Sequence, residues 1–179
     1  EILRCLVGSE MCIRDRLLAD TMGVKTASLY NHIENMDTLL TEVCRYALRM
    51  QEDGELRAIA GKTGREAVWA LAWAYRRFAQ QHRELYWLVM DTAAGEPRVL
   101  DDAAARFTEP LKQVLSGFRL PPREEIHFRR MFRAIVHGFA SQEDEGFFSH
   151  YPASTELSFE FAIQRFVDCV LEAEKRNPS

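Results

Sequence analysis

The sequence has no long hydrophobic run. Its longest runs, such as residues 67–75 and 85–90, are far shorter than the roughly 20 apolar residues that cross a bilayer, and no charged-then-apolar leader opens the chain. We therefore expect a cytoplasmic protein with no membrane partner.

Closely spaced cysteines are also missing. The four, Cys5, Cys12, Cys44 and Cys169, lie far from the spacing of a zinc site or of a disulfide framework. We expect reduced thiols, no bound metal and no cofactor.

The sequence has no excess of positive charge either. It holds 23 Lys and Arg against 27 Asp and Glu, which gives a net charge of -4. A strongly basic composition would indicate a nucleic-acid partner through charge alone. Any DNA binding by this chain must therefore depend on local geometry.

Strand signals are nearly absent, because β-branched residues occur singly and no Asn-Gly or Asp-Gly turn bounds an alternating run. Apolar residues recur instead at three- and four-residue steps, which places them along one face of a helix. Such faces lie in residues 64–82, 126–139 and 159–170. The sequence predicts an all-α fold.

The segment at residues 17–40 predicts two short helices that meet at an angle. Leu18, Ala19 and Met22 are expected to form the inner face of the first helix. Gly23 then supplies the turn, and Val24 fills the corner between the helices.

The second short helix is predicted to turn a polar surface outward. It begins at Lys25 or Thr26 and carries Leu29 and Ile33 on its inner side. A helix with short polar groups on its exposed first turn can enter a major groove of DNA, whereas an ordinary solvated helical hairpin is the alternative on spacing alone. The candidate DNA-binding residues are Lys25, Thr26, Ala27, Ser28, Tyr30, Asn31 and His32.

The string GVKTASLYNHIENMDTLL resembles the TetR-family pattern of Gly-Val, a variable trio, Ser/Thr-Leu-Tyr, a variable residue, His, an apolar residue, a turn and Leu-Leu. The resemblance implies that Thr26, Ala27 and Asn31 read bases. It implies phosphate contacts for Ser28, Tyr30 and His32, while Lys25 can do either.

Two features depart from the family pattern. Met36 stands where the family often has lysine, which removes one phosphate contact and lowers the salt slope of binding by about one. We expect that the full amphipathic helix that precedes the motif in the family is truncated or replaced here. We hypothesise that residues 8–16 are read-through of a non-genomic sequence, and that the altered chain binds DNA less well than its intact parent.

The rest of the chain carries no nucleophile elbow, phosphate-binding glycine loop or metal-ligand spacing. The string RAIVHGF at residues 133–139 resembles the C-terminal class marked by a Trp-His-Gly signature, with Val136 in place of the tryptophan. The resemblance implies helices around an apolar pocket and pairing of the last two helices in a homodimer. We predict a helix-turn-helix DNA-binding domain at residues 1–50 and a helical effector-binding and dimerisation domain at 51–179.

Large apolar residues exceed what single helix faces need, which indicates a cavity for a small apolar or aromatic effector. The alternative is that all of them are core. Residues 143–145 are expected to be a solvated loop. The candidate ligand-binding residues are Trp73, Trp87, Met90, Phe107, Met131 and His137.

These features predict a ligand-responsive repressor that binds a palindromic double-stranded DNA operator as a homodimer and has no catalytic residue. One alternative is a helical metal-dependent enzyme that uses His127, His137 and His150 with Glu124 or Glu143. Its spacing is poor, because ten residues on one helix leave the first two histidines roughly 80° out of phase and about 15 Å apart. The other alternative is a helical interaction module that binds no DNA.

Overall fold

The computed structural model describes residues 11–95 and 101–177, with side chains at 15–92 and 108–177. All regular elements in those ranges are helical, which confirms the predicted fold class. The α-helices are α1 (Met11–Met22), α2 (Thr26–Leu29), α3 (Met36–Ile59), α4 (Gly64–Gln81), α5 (Arg83–Gly95), α6 (Asp101–Leu115), α7 (Pro122–Asp144) and α8 (Thr155–Arg176), and a 3-10 helix spans Phe147–His150.

The chain divides into two compact units. Unit 1 comprises Glu1–Met50 and His82–Ala104, and unit 2 comprises Gln51–Gln81 and Ala105–Ser179. Residues 82–104 thus group with the N-terminal segment in the structure, while the functional division at residue 50 stays a prediction.

The core of unit 1 begins with one side chain from each of its first three helices. Leu18 of α1, Leu29 of α2 and Met36 of α3 are buried together, and the half-buried Ile33 and Leu40 pack against them. Leu29 and Ile33 therefore face inward as predicted. This cluster fixes the direction in which the short α2 presents its other side.

A second contact in unit 1 joins α3 to α5. The buried Cys44 thiol donates to Oγ1 of Thr92 at 3.2 Å and lies 3.8 Å from the carbonyl oxygen of Leu88. Burial raises the pKa of the Cys44 thiol above its ordinary value, although the bond with Thr92 lowers it in part. The thiol is therefore protonated at neutral pH.

Unit 2 packs α4, α7 and α8 around aromatic side chains. Phe132 of α7 meets Phe166 of α8 edge-on, with 5.4 Å between ring centroids. Phe159, near the start of α8, is fully buried and meets Trp73 of α4 edge-on at 5.3 Å. Edge-to-face pairs of this kind stabilise a core beyond the area that they bury.

Two helices in unit 2 begin at residues that favour a helix start. Pro122 occupies the first turn of α7, where its missing N–H leaves no intrahelical bond unmade. Ser154 caps α8, and its hydroxyl accepts from the backbone N–H of Leu157 at 3.5 Å.

The prediction of a solvated loop at residues 143–145 is wrong for Glu143 and Asp144, which lie in α7, whereas Glu145 is exposed after the helix ends. Glu143 lies in the last turn of α7 and forms an ion pair with the buried Arg76 of α4, while Nε2 of Gln80 donates to the same carboxylate at 3.2 Å. The sequence around Glu143 does not show this pairing, because its partner Arg76 lies 67 residues away.

Within the described parts of the chain, the helices all lack the combination of length and apolar character that crossing a bilayer requires.

Candidate nucleic-acid interface and ligand cavity

The turn between α1 and α2 is built on Gly23. Its φ of 68° lies in the left-handed region that glycine adopts without strain, and the next N–H, of Val24, donates to the carbonyl of Ala19 at 2.9 Å. The turn at Gly23 is confirmed. The reason for glycine is the backbone angle and not a clash, since a Cβ there would meet nothing within 4 Å.

Helix α2 is one turn long, and the chain keeps turning after it. Lys25 is its N-cap, with an extended ψ of 144°. The backbone N–H groups of Asn31 and His32 donate to the carbonyls of Ser28 and Leu29 at 3.3 and 3.0 Å. The α-helix proper ends at Leu29, but this continued turning holds residues 30–32 in a compact arrangement.

The outer side of this turn carries the candidate DNA-binding residues. Lys25, Ala27, Tyr30, Asn31 and His32 are exposed, while Thr26 and Ser28 are half-buried. The structure therefore brings all seven to one continuous stretch of surface. Their contacts with bases or phosphates stay predictions.

Two neighbouring core predictions are wrong. Met22 and Val24 are 53% and 40% exposed, although both were expected to pack inside. Met22 is the last residue of α1, and the chain turns away at Gly23 before its side chain meets a partner. The space beside Leu18 is filled instead by Met36, which is buried here where the family often has a lysine.

Tyr30 has a partner within the chain. Its hydroxyl donates to Oδ2 of Asp15, a buried carboxylate on α1. Oδ1 of Asp15 is buried and has no hydrogen-bond partner among the described residues. A phenol has one proton to donate and a backbone phosphate can only accept, so a phosphate contact by Tyr30 requires the hydroxyl to leave Asp15.

Unit 2 contains a small cavity between α3, α4, α6 and α7. Its volume is about 30 Å³, which is room for one or two water molecules. Leucine, tyrosine and phenylalanine side chains form much of its wall, but three ionisable groups also face it: Glu55, Arg129 and Arg133. The cavity therefore combines an apolar wall with a charged one.

Glu55 is the most buried charged group of that wall, with 4% of its surface exposed. Nε2 of Gln51, one helical turn earlier on α3, donates to its Oε1 at 2.8 Å. Burial raises the pKa of Glu55 to about 7, against the lowering effects of Gln51 and of the positive charge on Arg133. The carboxyl is thus poised to gain or lose a proton near neutrality.

The five candidate ligand-binding residues whose side chains the structure describes lie elsewhere than on this cavity. In unit 2, Trp73 and His137 are half-buried and Met131 is 38% exposed; burial, aided by Arg133, holds the pKa of His137 below its ordinary value. In unit 1, Trp87 and Met90 are half-buried. The side chain of Phe107 lies outside the described residues. Ligand contact by these six stays a prediction.

Sequence reasoning missed Gln51 and Glu55, although a signal for them was present. They continue, at three- and four-residue steps, the inward stripe of α3 that holds Leu48 and Ile59. Polar residues on an apolar stripe indicate a buried polar site, because burial without partners is costly.

The alternative of a helical metal-dependent enzyme has no support in the described parts of the chain. They contain no group of three or more His, Cys, Asp or Glu side chains placed to hold a metal ion.

Comparisons with known proteins identify the family. The family model described as "Tetracyclin repressor-like, C-terminal domain" matches residues 68–166, more than half of the chain. This chain belongs to the TetR family of transcriptional regulators. The family predicted from the motif at residues 23–40 is thus confirmed by a separate segment, while the Trp-His-Gly class stays a prediction.

One curated relative carries the same kind of name. The TetR-family chain is 30% identical over 135 residues to Rv0681 of Mycobacterium tuberculosis (strain ATCC 25618 / H37Rv), named as an uncharacterized HTH-type transcriptional regulator. The match covers 72% of this chain and 60% of that protein. The chain thus spans about three-fifths of the length of its relative.

Two solved structures share the fold of this TetR-family chain. SCO4313, described as a candidate regulatory protein, has a TM-score of 0.75 at 23% identity, covering 92% of this chain and 90% of that one. A protein of unknown function from Rhodococcus sp. RHA1 has a TM-score of 0.72 at 19% identity, covering 95% of each chain.

Proposed function

We propose that this chain is a cytoplasmic transcriptional repressor that binds a palindromic DNA operator as a homodimer and releases it when a small effector binds. The observation that carries the DNA-binding part is the orientation of the α2 turn. Leu29 is buried, whereas Asn31 and His32 on the same turn are exposed.

The exposed side chains of the α2 turn suit the major groove. The Asn31 amide can bond an adenine edge with two hydrogen bonds, and the hydroxyls of Thr26 and Ser28 can meet base edges or phosphates. Lys25 is the one lysine or arginine in residues 17–40, which also hold three carboxylates. Binding therefore depends on fit more than on net charge, and we expect a shallow salt dependence.

Exposed apolar side chains on the last two helices support the homodimer. Ile126 and Met131 of α7 and Leu157 and Phe161 of α8 are all exposed, Phe161 by 67%. A Cβ added at Gly138 of α7 would meet nothing within 4 Å, which leaves room for close approach of another helix. Two-fold pairing covers such a surface and presents two recognition turns to two half-sites.

The ligand response is supported by the cavity of unit 2, which has an apolar wall and ionisable groups that can select a ligand. An effector releases DNA only if it binds the DNA-free conformation more tightly than the DNA-bound one.

The test is fluorescence anisotropy with labelled duplexes from the DNA upstream of the gene and with a shuffled duplex of the same composition. We expect a dimer to bind one upstream duplex at least about a thousandfold more tightly than the shuffled one. Absence of binding to both duplexes would favour a helical interaction module, and stoichiometric zinc or iron in the purified protein would favour the enzyme.

A further inference from the structure

The cavity in unit 2 is lined by more ionisable side chains than binding of a purely apolar effector requires. Glu55 comes from α3, and Arg129 and Arg133 lie one turn apart on α7. Leu71 and Phe132 complete the cavity from α4 and α7. A ligand that enters therefore meets an acid, two guanidinium groups and apolar side chains.

Arg129 has a donor without an acceptor. Its Nη2 donates to Oε1 of Glu125, one turn earlier on α7. Its Nε is buried and has no hydrogen-bond partner among the residues that the structure describes. A buried N–H of a charged group that lacks an acceptor costs free energy, so a ligand oxygen placed there is stabilising.

The Glu55 carboxyl can also form further hydrogen bonds. Gln51 donates to one of its oxygens, and in the described part of the chain no second hydrogen bond to this carboxyl is found. When protonated, the carboxyl can donate one hydrogen bond. The charged groups that act on it are Arg133, which lowers its pKa, and Glu52, which raises it, after the dominant effect of burial.

We propose that this cavity receives the carboxylate of a small organic acid with an apolar body, which accepts hydrogen bonds from Nε of Arg129 and from protonated Glu55. This inference rests on the ligand response proposed above and names the class of the effector. The ligand enters as an anion and Glu55 takes up one proton from solvent, so the net charge of the site is unchanged. A cationic ligand meets two guanidinium groups instead, and a neutral amide needs no proton uptake.

The size of the cavity fits the head group of such a ligand. About 30 Å³ admits a group the size of one or two water molecules, so the apolar body requires side chains such as Phe132 to move. Ligand entry thereby couples to the packing of α7 against α3 and α4 within unit 2.

The experiment is isothermal titration calorimetry of the full chain with three matched probes: hexanoate, hexanamide and hexylammonium. We expect hexanoate to bind most tightly. Its affinity is expected to fall about tenfold between about pH 6 and about pH 8, since a carboxyl with a pKa near 7 must be protonated for binding. Titrations in buffers of different ionisation enthalpy are expected to show uptake of close to one proton near pH 8.

Variants separate the two contacts. Glu55→Gln keeps a donor but cannot titrate, so hexanoate is expected to bind with an affinity that no longer depends on pH. Arg129→Gln is expected to weaken hexanoate at least about tenfold. Arg130→Gln, an exposed neighbour on α7, is the matched control and is expected to leave binding unchanged.

Several results would overturn the assignment: no saturable binding of hexanoate, tighter binding of the amide or the ammonium, or full affinity in Arg129→Gln. If Glu55→Gln unfolds, Arg133→Gln replaces it. Because Arg133 lowers the pKa of Glu55, its removal is expected to shift the fall in hexanoate affinity to higher pH, and an unshifted profile counts against the proposal. DNA binding is measured separately by anisotropy. Hexanoate that binds in the cavity and leaves DNA affinity unchanged supports the carboxylate site and overturns the ligand response.

Discussion

Arg76 donates to both carboxylate oxygens of Glu143, with 3.0 Å between Nε and Oε2, while its guanidinium lies 4.8 Å from the ring centroid of Phe159. The pair joins α4 to α7 and is shielded from water, since the Arg76 side chain is 7% exposed. Such a planar fork suits a carboxylate on one side and an aromatic ring on its face.

Removing one partner of this pair is expected to destabilise unit 2 strongly. Arg76→Met leaves a mostly buried carboxylate with Gln80 as its remaining donor, and we expect a loss of about 3 kcal/mol in the free energy of unfolding. Urea denaturation measures it. The double variant Arg76→Met with Glu143→Leu is expected to be more stable than the single one, and Arg77→Met, at an exposed site, is expected to change stability by less than about 0.5 kcal/mol.

Asn31→Ala is expected to reduce affinity for the operator without changing affinity for a shuffled duplex. Loss of a two-point contact to a base costs about 1–3 kcal/mol of discrimination. Anisotropy with both duplexes measures the effect, and Gln81→Ala, another exposed amide, is the control. An equal loss on both duplexes would show that Asn31 binds the phosphate backbone instead.

Phe161→Glu is expected to convert the dimer to a monomer that remains folded. The side chain is 67% exposed in the single chain, so a charge there costs little in the monomer but is buried at the proposed interface. Analytical ultracentrifugation measures the mass and circular dichroism the helix content. Tyr46→Glu, at a site 58% exposed on α3, is expected to stay dimeric, and a dimeric Phe161→Glu places the interface elsewhere.

The raised pKa of Glu55 predicts that stability falls as pH rises. The pKa of Glu55 is about 7 in the folded state against 4.5 for an ordinary glutamate carboxyl, so the folded state holds the proton more tightly between these values. The contribution is present below about pH 4.5 and is lost by about pH 7, a change of about 3 kcal/mol. Urea denaturation of the wild type and of Glu55→Gln across this range checks it, since the variant lacks this slope.

Two glycine-to-alanine changes are expected to act in opposite directions. At Gly23 the φ of 68° strains any side chain, so Gly23→Ala is expected to cost about 1–2 kcal/mol although no atom is in the way. Gly54 lies within α3 with open space around it, and Gly54→Ala is expected to stabilise by about 1 kcal/mol. Thermal unfolding distinguishes the two, and a cost at Gly54 would mean that this helix face is covered.

The helices could be predicted because their signals are local. The stripe of α8 with Ile163 and Phe166, the proline at the start of α7 and the Ser154 cap all lie within a few residues of what they determine. Glu143 could not be assigned in this way, because its burial depends on a partner on a different helix.

The same difference between local signals and contacts between helices separates the two candidate sites. The outward face of α2 follows from the inward placement of Leu29 and Ile33, so it could be predicted. The candidate ligand-binding residues are mainly large side chains such as Trp73, and side-chain size does not indicate which helices enclose a cavity. Glu55 and Arg129 come together only through the packing of α3 and α7.

The hydrogen bond from Cys44 to Thr92 makes the reactivity of the Cys44 thiol a measure of local opening in unit 1. A buried, protonated thiol resists alkylation, so Cys44 reacts only when α3 and α5 separate. Mass spectrometry distinguishes its peptide from that of the exposed Cys169. Its labelling rate under native conditions therefore reports the free energy of opening unit 1 apart from global unfolding, with and without DNA.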